Sequence, residues 1–354
     1  MNKSPAPVIW SVVVLISFGL TTIWSTVPNL FLSQLSFVAI GIIFLIIFSR
    51  IELSLAFSLS LPLYFFSLFF LALTLIIGEV TRGSTRWIEI GPVKLQASEF
   101  VKPLLAIFFA NFLSRHSMKS LRNYLSFLIL LFLPAVFILV QPDLGSALIL
   151  LFMGLLMLFV SDVKPKTLII TIFLGLLTIF PAFSHLKPYQ QQRISSFINP
   201  YSDPSGGGYN IIQSVIAVGS GQIMGLGVKQ GTQSHLKFLP ERHTDFIFAS
   251  FAEEFGLIGS LLLLSSYLLM FSFWFGLSKK IGKKENYFLL CAIIGVITFQ
   301  FLVNIGMNLG IMPVTGITLP LVSYGGSSLL TLMILIGLSL NLNRRHSIPR
   351  EDRV

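Results

Sequence analysis

The sequence predicts an all-α, polytopic integral membrane protein with about ten transmembrane helices. Of its 354 residues, 54% are hydrophobic and only 11% are charged, whereas soluble domains carry about 25% charged residues. The mean hydropathy is +0.86. Apolar runs of about 20 residues, each long enough to cross a hydrocarbon core of roughly 30 Å, recur from end to end. These runs do not alternate polar and apolar residues, which excludes a transmembrane β-barrel.

Ten spans follow from these runs in order along the chain. The first is predicted to be a helix and not a removed signal peptide, because no small-residue cleavage site follows it and a second apolar run begins at once. Cys291 lies inside the ninth span, where a packing role is expected. No internal repeat is apparent, so an inverted-repeat transporter gets no support. Residues 1–354 are predicted to form one transmembrane domain. The predicted spans are about 8–26, 30–49, 53–77, 99–115, 124–140, 145–161, 166–183, 246–276, 286–310 and 324–342.

Basic residues fall mainly on one side of this topology. Fifteen of the 24 lysines and arginines lie near the termini or in loops on the same side, whereas the opposite loops at 27–29, 141–144 and 311–323 contain none. The positive-inside rule therefore predicts a multi-pass protein with both termini in the cytoplasm. Topology determination explains the net charge of +10, so no nucleic-acid partner is expected.

Two longer segments on the outward side, 78–102 and 184–245, carry the remaining basic residues. Long translocated loops escape the positive-inside rule, so these charges need another reason. A loop as long as the second segment is usually functional or disordered. Its internal apolar stretch YNIIQSVIAVG favours packing at the membrane surface over disorder.

Asp245 stands at the start of the eighth span, and ionisable groups at membrane depth are functional candidates by default. At about 100° per residue, Ala249, Ala252 and Gly256 share its helix face. Such a stripe predicts a small-residue groove that admits either a second helix or a lipid chain. The alternative is that Asp245 only caps the helix.

The stretch RWIEIGPVKLQASEFVK, residues 86–102, offers charge at the start of the fourth span. Lys102 in a first helical turn strengthens an anion site, which predicts phosphate binding. The alternative is an i,i+3 ion pair with Glu99. Arg86 supplies a guanidinium at the interface, and Trp87 is either an interfacial anchor or a platform for a sugar.

Two outward turns complete the set of candidate sites. In QPDLGSA, Asp143 is expected to cap the sixth span. The uncharged loop PVTGITLPLVSYGGSS, which contains Ser323 and Gly325, lets backbone approach a polar ligand closely. His235 and His243 are loop residues, which are more often solvated than catalytic. The sequence has no P-loop, no H-E-x-x-H and no Cys/His metal spacing.

Six motifs occur in a fixed order from about residue 82 to the end of the chain: RWIEIG, QASEFVK, QPDLGSA, GTQSHLKFLPERHTDFIFA, AEEFG and PVTGITLPLVSYGGSS. In this combination the chain resembles the SEDS family (shape, elongation, division and sporulation) of polytopic peptidoglycan polymerases. The motif GTQSHLKFLPERHTDF resembles the rod-shape branch of the family more than the division branch. The family usually reads Q-P-S-E where this chain has Ala97 after Gln96. This departure puts the predicted start of the fourth span in question.

The resemblance implies a peptidoglycan glycosyltransferase that joins lipid II units during cell elongation and shape maintenance and releases undecaprenyl pyrophosphate. It implies that Asp245 is the catalytic general base. Glu99 and Asp143 would orient the phosphate-binding cations or hold a divalent cation, although no cofactor is certain. The implied substrate-binding residues are Arg86, Trp87, Glu99, Lys102, Asp143, Arg193, Arg242, Ser323 and Gly325.

The resemblance also implies a bacterial cytoplasmic membrane location, contact with membrane lipids, and a class B penicillin-binding protein as the transpeptidase partner. Two alternatives stay open from the sequence. One is a lipid II flippase, which would need a polar path to the cytoplasmic side. The other is a non-catalytic membrane scaffold for a penicillin-binding protein.

Overall fold

The computed structural model describes residues 4–81, 84–90, 93–185 and 188–347 as fourteen α-helices and three short strands. Short 3₁₀ turns lie at Pro28–Leu30 and Pro200–Ser202. The helices are α1 (Ala6–Thr26), α2 (Phe31–Phe48), α3 (Leu53–Ser58), α4 (Ser60–Ile77), α5 (Ala97–Arg115), α6 (Leu121–Val140), α7 (Leu144–Phe159), α8 (Pro165–His185), α9 (Pro188–Ile198), α10 (Tyr209–Ser220), α11 (Thr232–His235), α12 (Ile247–Ser278), α13 (Lys284–Asn308) and α14 (Gly326–Ser347). The strands are β1 (Glu79–Thr81), β2 (Ser84–Ile90) and β3 (Val93–Gln96).

The prediction of an all-α, polytopic membrane protein is confirmed. Among the described residues, eight helices are long and apolar enough to cross a bilayer, namely α1, α2 with the turn before it, α4, α5, α6, α12, α13 and α14. Two shorter apolar helices, α7 and the described part of α8, match the two remaining predicted spans. The third span differs from its prediction because it is divided at Leu59 into α3 and α4.

The centre of the bundle is formed by α5, α13 and α14. In the most apolar stretch of each helix, 83% of residues are buried in α14, 72% in α5 and 67% in α13, against 17% in the helix ending at Phe48. Helix α13 packs against α5 and α7, α14 packs against α2, and α1 packs against α12. Large apolar side chains on α2, α4 and α6 stay exposed because lipid tails are as apolar as they are.

A small antiparallel sheet, in the order β1-β2-β3, precedes α5 and was not predicted. Trp87 lies opposite Gln96, and Glu89 lies opposite Lys94. The strands span three to seven residues, too few for their alternation to stand out in a chain dominated by apolar helices. Helix α5 begins directly after β3 at Ala97, so the missing proline does not displace the start of the fourth span.

In segment 184–245, predicted to lie outward, the described residues from 188 onward include the helices α9, α10 and α11, and the apolar stretch forms α10. Helix α10 packs on α12 and α13. A Cβ atom placed on Gly221 would lie 2.0 Å from the carbonyl oxygen of Ala252. The small-residue groove was predicted to admit either a second helix or a lipid chain. At Ala252 it is occupied by the closely packed chain at the end of α10.

The prediction that Asp245 and Gly256 share one face of α12 is wrong. Asp245 precedes the helix, which begins at Ile247, and Gly256 is non-helical with φ 63° and ψ −160°. Only glycine adopts this backbone conformation without strain. The rule of 100° per residue therefore does not place Asp245 and Gly256 on one helix face.

Candidate active site

Asp245 is positioned through its backbone. It lies one residue before Phe246, which is the N-cap residue of α12, so Asp245 does not occupy the capping position. Its carbonyl oxygen accepts hydrogen bonds from Asn304 Nδ2 at 3.0 Å and from Asn308 Nδ2 at 2.9 Å. These two contacts fix the main chain just before α12 against α13.

The two asparagines tie three segments together and were missed by the sequence analysis. Asn304 Nδ2 also donates to the carbonyl oxygen of Ile317 at 2.7 Å, and Asn308 Oδ1 accepts from the backbone N–H of Ala249 at 3.0 Å. Both side chains are fully buried, where an amide needs hydrogen-bonding partners. Their spacing of four residues in an apolar span was the available signal, because it puts both amides on one helix face.

The loop between α13 and α14 holds the chain just before Asp245. Ser323 Oγ donates to the carbonyl oxygen of Thr244 at 2.7 Å and accepts from the N–H of Leu319 at 2.8 Å. The N–H of Gly325 donates to Gln34 Oε1 at 3.2 Å. Ser323 and Gly325 therefore position the loop around Asp245, and direct substrate contact by either stays a prediction.

The residues around Asp245 form one cluster of the site, and a second cluster surrounds Arg86. Arg86 hydrogen-bonds to the turn before α7. Its Nε donates to the carbonyl oxygen of Gln141 at 3.3 Å, and its Nη2 donates to the carbonyl oxygen of Pro142. Its Nη1 lies 3.9 Å from Asp143 Oδ1. The Arg86 side chain stays 27% exposed, so part of the guanidinium can still meet a ligand.

Asp143 caps α7, as its position in the sequence indicated. Its carboxylate accepts from the N–H of Ser146 at 3.2 Å, from Ser98 Oγ at 2.9 Å and from Gln96 Nε2 at 2.9 Å. One aspartate thereby joins the starts of α7 and α5 to the end of β3, and it also faces Arg86.

Glu99 and Lys102 form the i,i+3 ion pair that was one of the two sequence alternatives. Lys102 Nζ lies 2.6 Å from Glu99 Oε1, and the two residues are 1% and 6% exposed. Glu99 Oε2 is also buried and has no hydrogen-bond partner among the residues the structure describes. Such an atom needs a partner, which leaves room for a polar ligand group beside this pair.

Residues 315–317 of the α13–α14 loop lie between the two clusters. A Cβ atom on Gly316, whose φ is +77°, would lie 3.7 Å from Asp245 Oδ2. A Cβ atom on Gly145, two residues after Asp143, would lie 2.9 Å from Ile317 Cγ1 and 3.1 Å from the carbonyl oxygen of Thr315. One loop segment therefore touches both the Asp245 side and the Asp143 side.

Three further predicted site residues are Arg242, Trp87 and Arg193. Arg242 donates through Nε and Nη2 to the carbonyl oxygen of Thr26 at 3.4 and 3.3 Å, and partial burial lowers the pKa of its guanidinium. Trp87 is half-buried in β2, and Arg193 is exposed on α9.

The His235 side chain is 24% exposed, and it is also hydrogen-bonded within the protein. His235 Nε2 lies 3.0 Å from Glu254 Oε1, which also accepts from the N–H of Lys229 and from Ser25 Oγ. The neighbouring Glu253 accepts from Ser234 through both N–H and Oγ. Both glutamates are buried, so the AEEFG motif anchors the outward segment to α12.

The carboxylates predicted to orient cations or to hold a divalent cation, Glu99 and Asp143, lie beside basic residues. Within the described ranges, no three His, Cys, Asp or Glu side chains lie together as metal ligands. Asp143 faces Arg86 and Glu99 faces Lys102, so each acid already has a cation beside it. Both roles suggested for these acids, orienting the cations and holding a divalent cation, stay predictions.

The fold and the site define a multi-pass helical membrane protein with acidic and basic side chains at one end of its bundle. The family model FtsW/RodA/SpoVE, described as "Cell cycle protein", matches residues 6–348, so the chain belongs to this family. The resemblance to the SEDS family is thereby confirmed.

Individual relatives agree with this assignment. The chain is 36% identical over 312 residues to peptidoglycan glycosyltransferase MrdB of Escherichia coli (strain K12), covering 86% of this chain and 83% of that protein. It is similar to a chain of a solved peptidoglycan synthase complex with a TM-score of 0.84 and 31% identity, covering 97% and 98% of the two chains. For the crystal structure of the rod shape determining protein RodA of Thermus thermophilus, the TM-score is 0.75 and the identity is 27%, with 99% of each chain covered.

Proposed function

We propose that this peptidoglycan glycosyltransferase polymerises lipid II into glycan strands during cell elongation, with Asp245 as its general base. The observation that carries the proposal is the fixed backbone of Asp245 just before α12, beside the loop that also touches the Asp143 cluster. The relatives support the reaction class, and the site supports the residue assignment.

Asp245 would act on the acceptor sugar. Its carboxylate takes the proton from the 4-hydroxyl of the acceptor's GlcNAc while that oxygen bonds to the anomeric carbon of the donor's MurNAc. The bond from this carbon to the pyrophosphate oxygen breaks, and undecaprenyl pyrophosphate leaves with the electron pair. A base needs hydrogen-bond reach of the hydroxyl, and a rigid backbone with a half-buried side chain supports that geometry.

The cations of the second cluster would bind the pyrophosphate. Arg86 is held by two backbone carbonyls and Asp143 and is still partly exposed, so it can hydrogen-bond a phosphate without first being ordered. Lys102 is paired with Glu99, and a phosphate near the start of α5 would compete for its ammonium group. Arg193 and Arg242 are further candidate cations.

We extend the proposal to topology and partner. The termini would be cytoplasmic and the site would face outward from a bacterial cytoplasmic membrane, in keeping with the one-sided distribution of basic residues. A class B penicillin-binding protein would supply the transpeptidase. The synthase complex among the structural relatives supports this choice of partner.

A strand-synthesis assay tests the proposal. Purified protein is incubated with labelled lipid II, with and without a class B penicillin-binding protein, and the products are separated by gel electrophoresis. The proposal predicts glycan strands and released undecaprenyl pyrophosphate in at least the reaction with the partner. Lipid II that crosses vesicles without joining would favour the flippase, and inactivity in both reactions would favour the scaffold.

A further inference from the structure

A cavity of about 580 Å³ opens at the opposite ends of the helices from Asp245. It is lined by the end of α5, the end of α7 and the turn that joins α12 to α13. Helix parity places all three on the side of the two termini. The proposed polymerase mechanism makes no use of this part of the molecule.

Three cations line the cavity: Arg115, Lys283 and Lys284. All three are exposed, and neither lysine forms an ion pair with any residue within the described ranges. Arg115 Nε donates at 3.0 Å to Asn111 Oδ1, which is a neutral acceptor. The positive charge of the cavity is therefore available to a ligand.

Asp162 is an acid in the same lining, and its carboxylate is already engaged by the protein. It accepts from Ser117 Oγ at 2.5 Å and from the N–H of Met118 at 2.8 Å. Although partial burial works to raise it, these hydrogen bonds hold the pKa of Asp162 below its ordinary value. Three cations against one carboxylate leave the four groups with a net charge of +2.

The start of α13 adds to the positive potential. Lys283 is its N-cap residue and Lys284 its first residue, and an ammonium group cannot accept hydrogen bonds from the N–H groups of a first turn. Cations at this end oppose the helix dipole, which Glu285, outside the cavity lining, only partly offsets. An anion in the cavity would offset the repulsion between these cations and the helix dipole, and it could accept hydrogen bonds from the first-turn N–H groups.

The floor of the cavity is apolar. Leu113 and Phe288 are buried beneath the charged rim, on helices that continue into the membrane-spanning bundle. Inorganic phosphate would use the rim alone, whereas an amphiphile with a phosphate head and acyl chains would use both surfaces. Basic pockets between transmembrane helices bind such head groups in other membrane proteins.

We infer that this cavity binds the phosphate head group of an anionic phospholipid in the leaflet on the side of the termini. The basic residues would then serve as a lipid site in addition to any role in setting topology. Topology alone requires basic residues on this side, but it does not require them to converge on one concave surface.

Lipid binding to the purified protein tests the inference without reference to activity. Native mass spectrometry and thermal unfolding in neutral detergent are followed while phosphatidylglycerol or phosphatidylcholine is added. The test variant is Arg115→Gln/Lys283→Gln/Lys284→Gln. The matched control, Arg50→Gln/Lys164→Gln/Lys166→Gln, removes the same charge from exposed residues on the same side that do not line the cavity.

Phosphatidylglycerol is expected to bind and to raise the unfolding temperature more than phosphatidylcholine. Each cation near an anionic lipid contributes about fivefold in affinity, so the test variant should bind at least about tenfold more weakly while the control changes little. If the triple variant does not fold, Lys284→Gln against Lys164→Gln gives the same comparison at about fivefold.

Three outcomes would overturn the inference. Equal losses in the test and control variants would mean diffuse surface charge, and equal binding of the two lipids would mean apolar contact alone. Glycerol 1-phosphate or inorganic phosphate competing as strongly as the intact lipid would assign the cavity to a soluble phosphate and not to a phospholipid.

Discussion

At the scale of single residues, the site combines local contacts with contacts between distant segments. The cap by Asp143 and the pair of Glu99 with Lys102 each join positions three residues apart, so sequence spacing could predict both. Asn304 and Asn308 lie 59 and 63 residues from Asp245. No local rule connects them, because their contact exists only after α12 and α13 have packed together.

The ion pair at the start of α5 gives a prediction that separates stability from function. Lys102→Gln leaves Glu99 charged and buried, which costs about 3–5 kcal/mol when one partner of a buried pair is removed. The double variant Glu99→Gln/Lys102→Gln removes both charges and should regain most of that stability. Thermal unfolding of the two variants in the same detergent measures the difference.

Activity of the same double variant tests the phosphate role of Lys102. A stable double variant that no longer polymerises lipid II is the expected result, because the cation for pyrophosphate is gone. Polymerisation at the rate of the unmodified protein would show that Lys102 serves only to neutralise Glu99.

At the scale of elements, sequence patterns predicted the spans but not how they are interrupted. Runs of apolar residues define helices by length alone, whereas the break at Gly256 depends on what packs there. A Cβ atom on Gly256 would lie 2.3 Å from the backbone nitrogen of Gly225 and 2.6 Å from the carbonyl oxygen of Ile223. The break therefore reflects a close approach between α12 and the chain after α10, which the sequence does not display.

Gly256→Ala is expected to destabilise the protein because it combines a positive φ with a backbone collision. Backbone strain of this kind costs about 1–3 kcal/mol, and the collision adds to it. Gly219→Ala is the matched control: this glycine lies within α10, and a Cβ atom there would meet nothing within 4 Å in the described part of the chain. It should be neutral or stabilising by up to about 1 kcal/mol.

The unfolding temperatures of the two glycine variants test whether packing requires the break in α12 at Gly256. A lower value for Gly256→Ala with an unchanged or higher value for Gly219→Ala supports the break as a packing requirement. Equal stability of both variants would contradict the described backbone at Gly256.

At the scale of the whole molecule, composition and charge distribution were sufficient for the class of protein and for a prediction of topology. The hydrocarbon core sets the length of each span, and the membrane imposes an asymmetry in the distribution of basic residues. Both features can therefore be predicted from the sequence. The small sheet before α5 and the helices of the outward segment depend on tertiary packing and left a much weaker pattern.

The proposed topology predicts that Ser205→Cys reacts with a membrane-impermeant thiol reagent in intact cells. Ser205 is exposed in the outward segment, and the natural Cys291 is buried, so the unmodified chain should stay unlabelled. Lys119→Cys, exposed between α5 and α6 on the side of the termini, should react only after lysis. The reverse pattern would invert the topology.

The central claim is that Asp245 is the general base, and the polymerisation rate of Asp245→Asn tests it most directly. Asparagine keeps the size of the side chain, and the contacts from Asn304 and Asn308 go to the main-chain carbonyl, so the fold should persist. Asp203→Asn is the control in the same outward segment; Asp203 Oδ2 accepts from the N–H of Gly207 at 2.8 Å, and an asparagine oxygen can do the same. Loss of about 10²–10⁴-fold in rate for Asp245→Asn, with the control near the unmodified rate, is the predicted result. A folded Asp245→Asn variant that keeps more than about a tenth of the rate would contradict the claim.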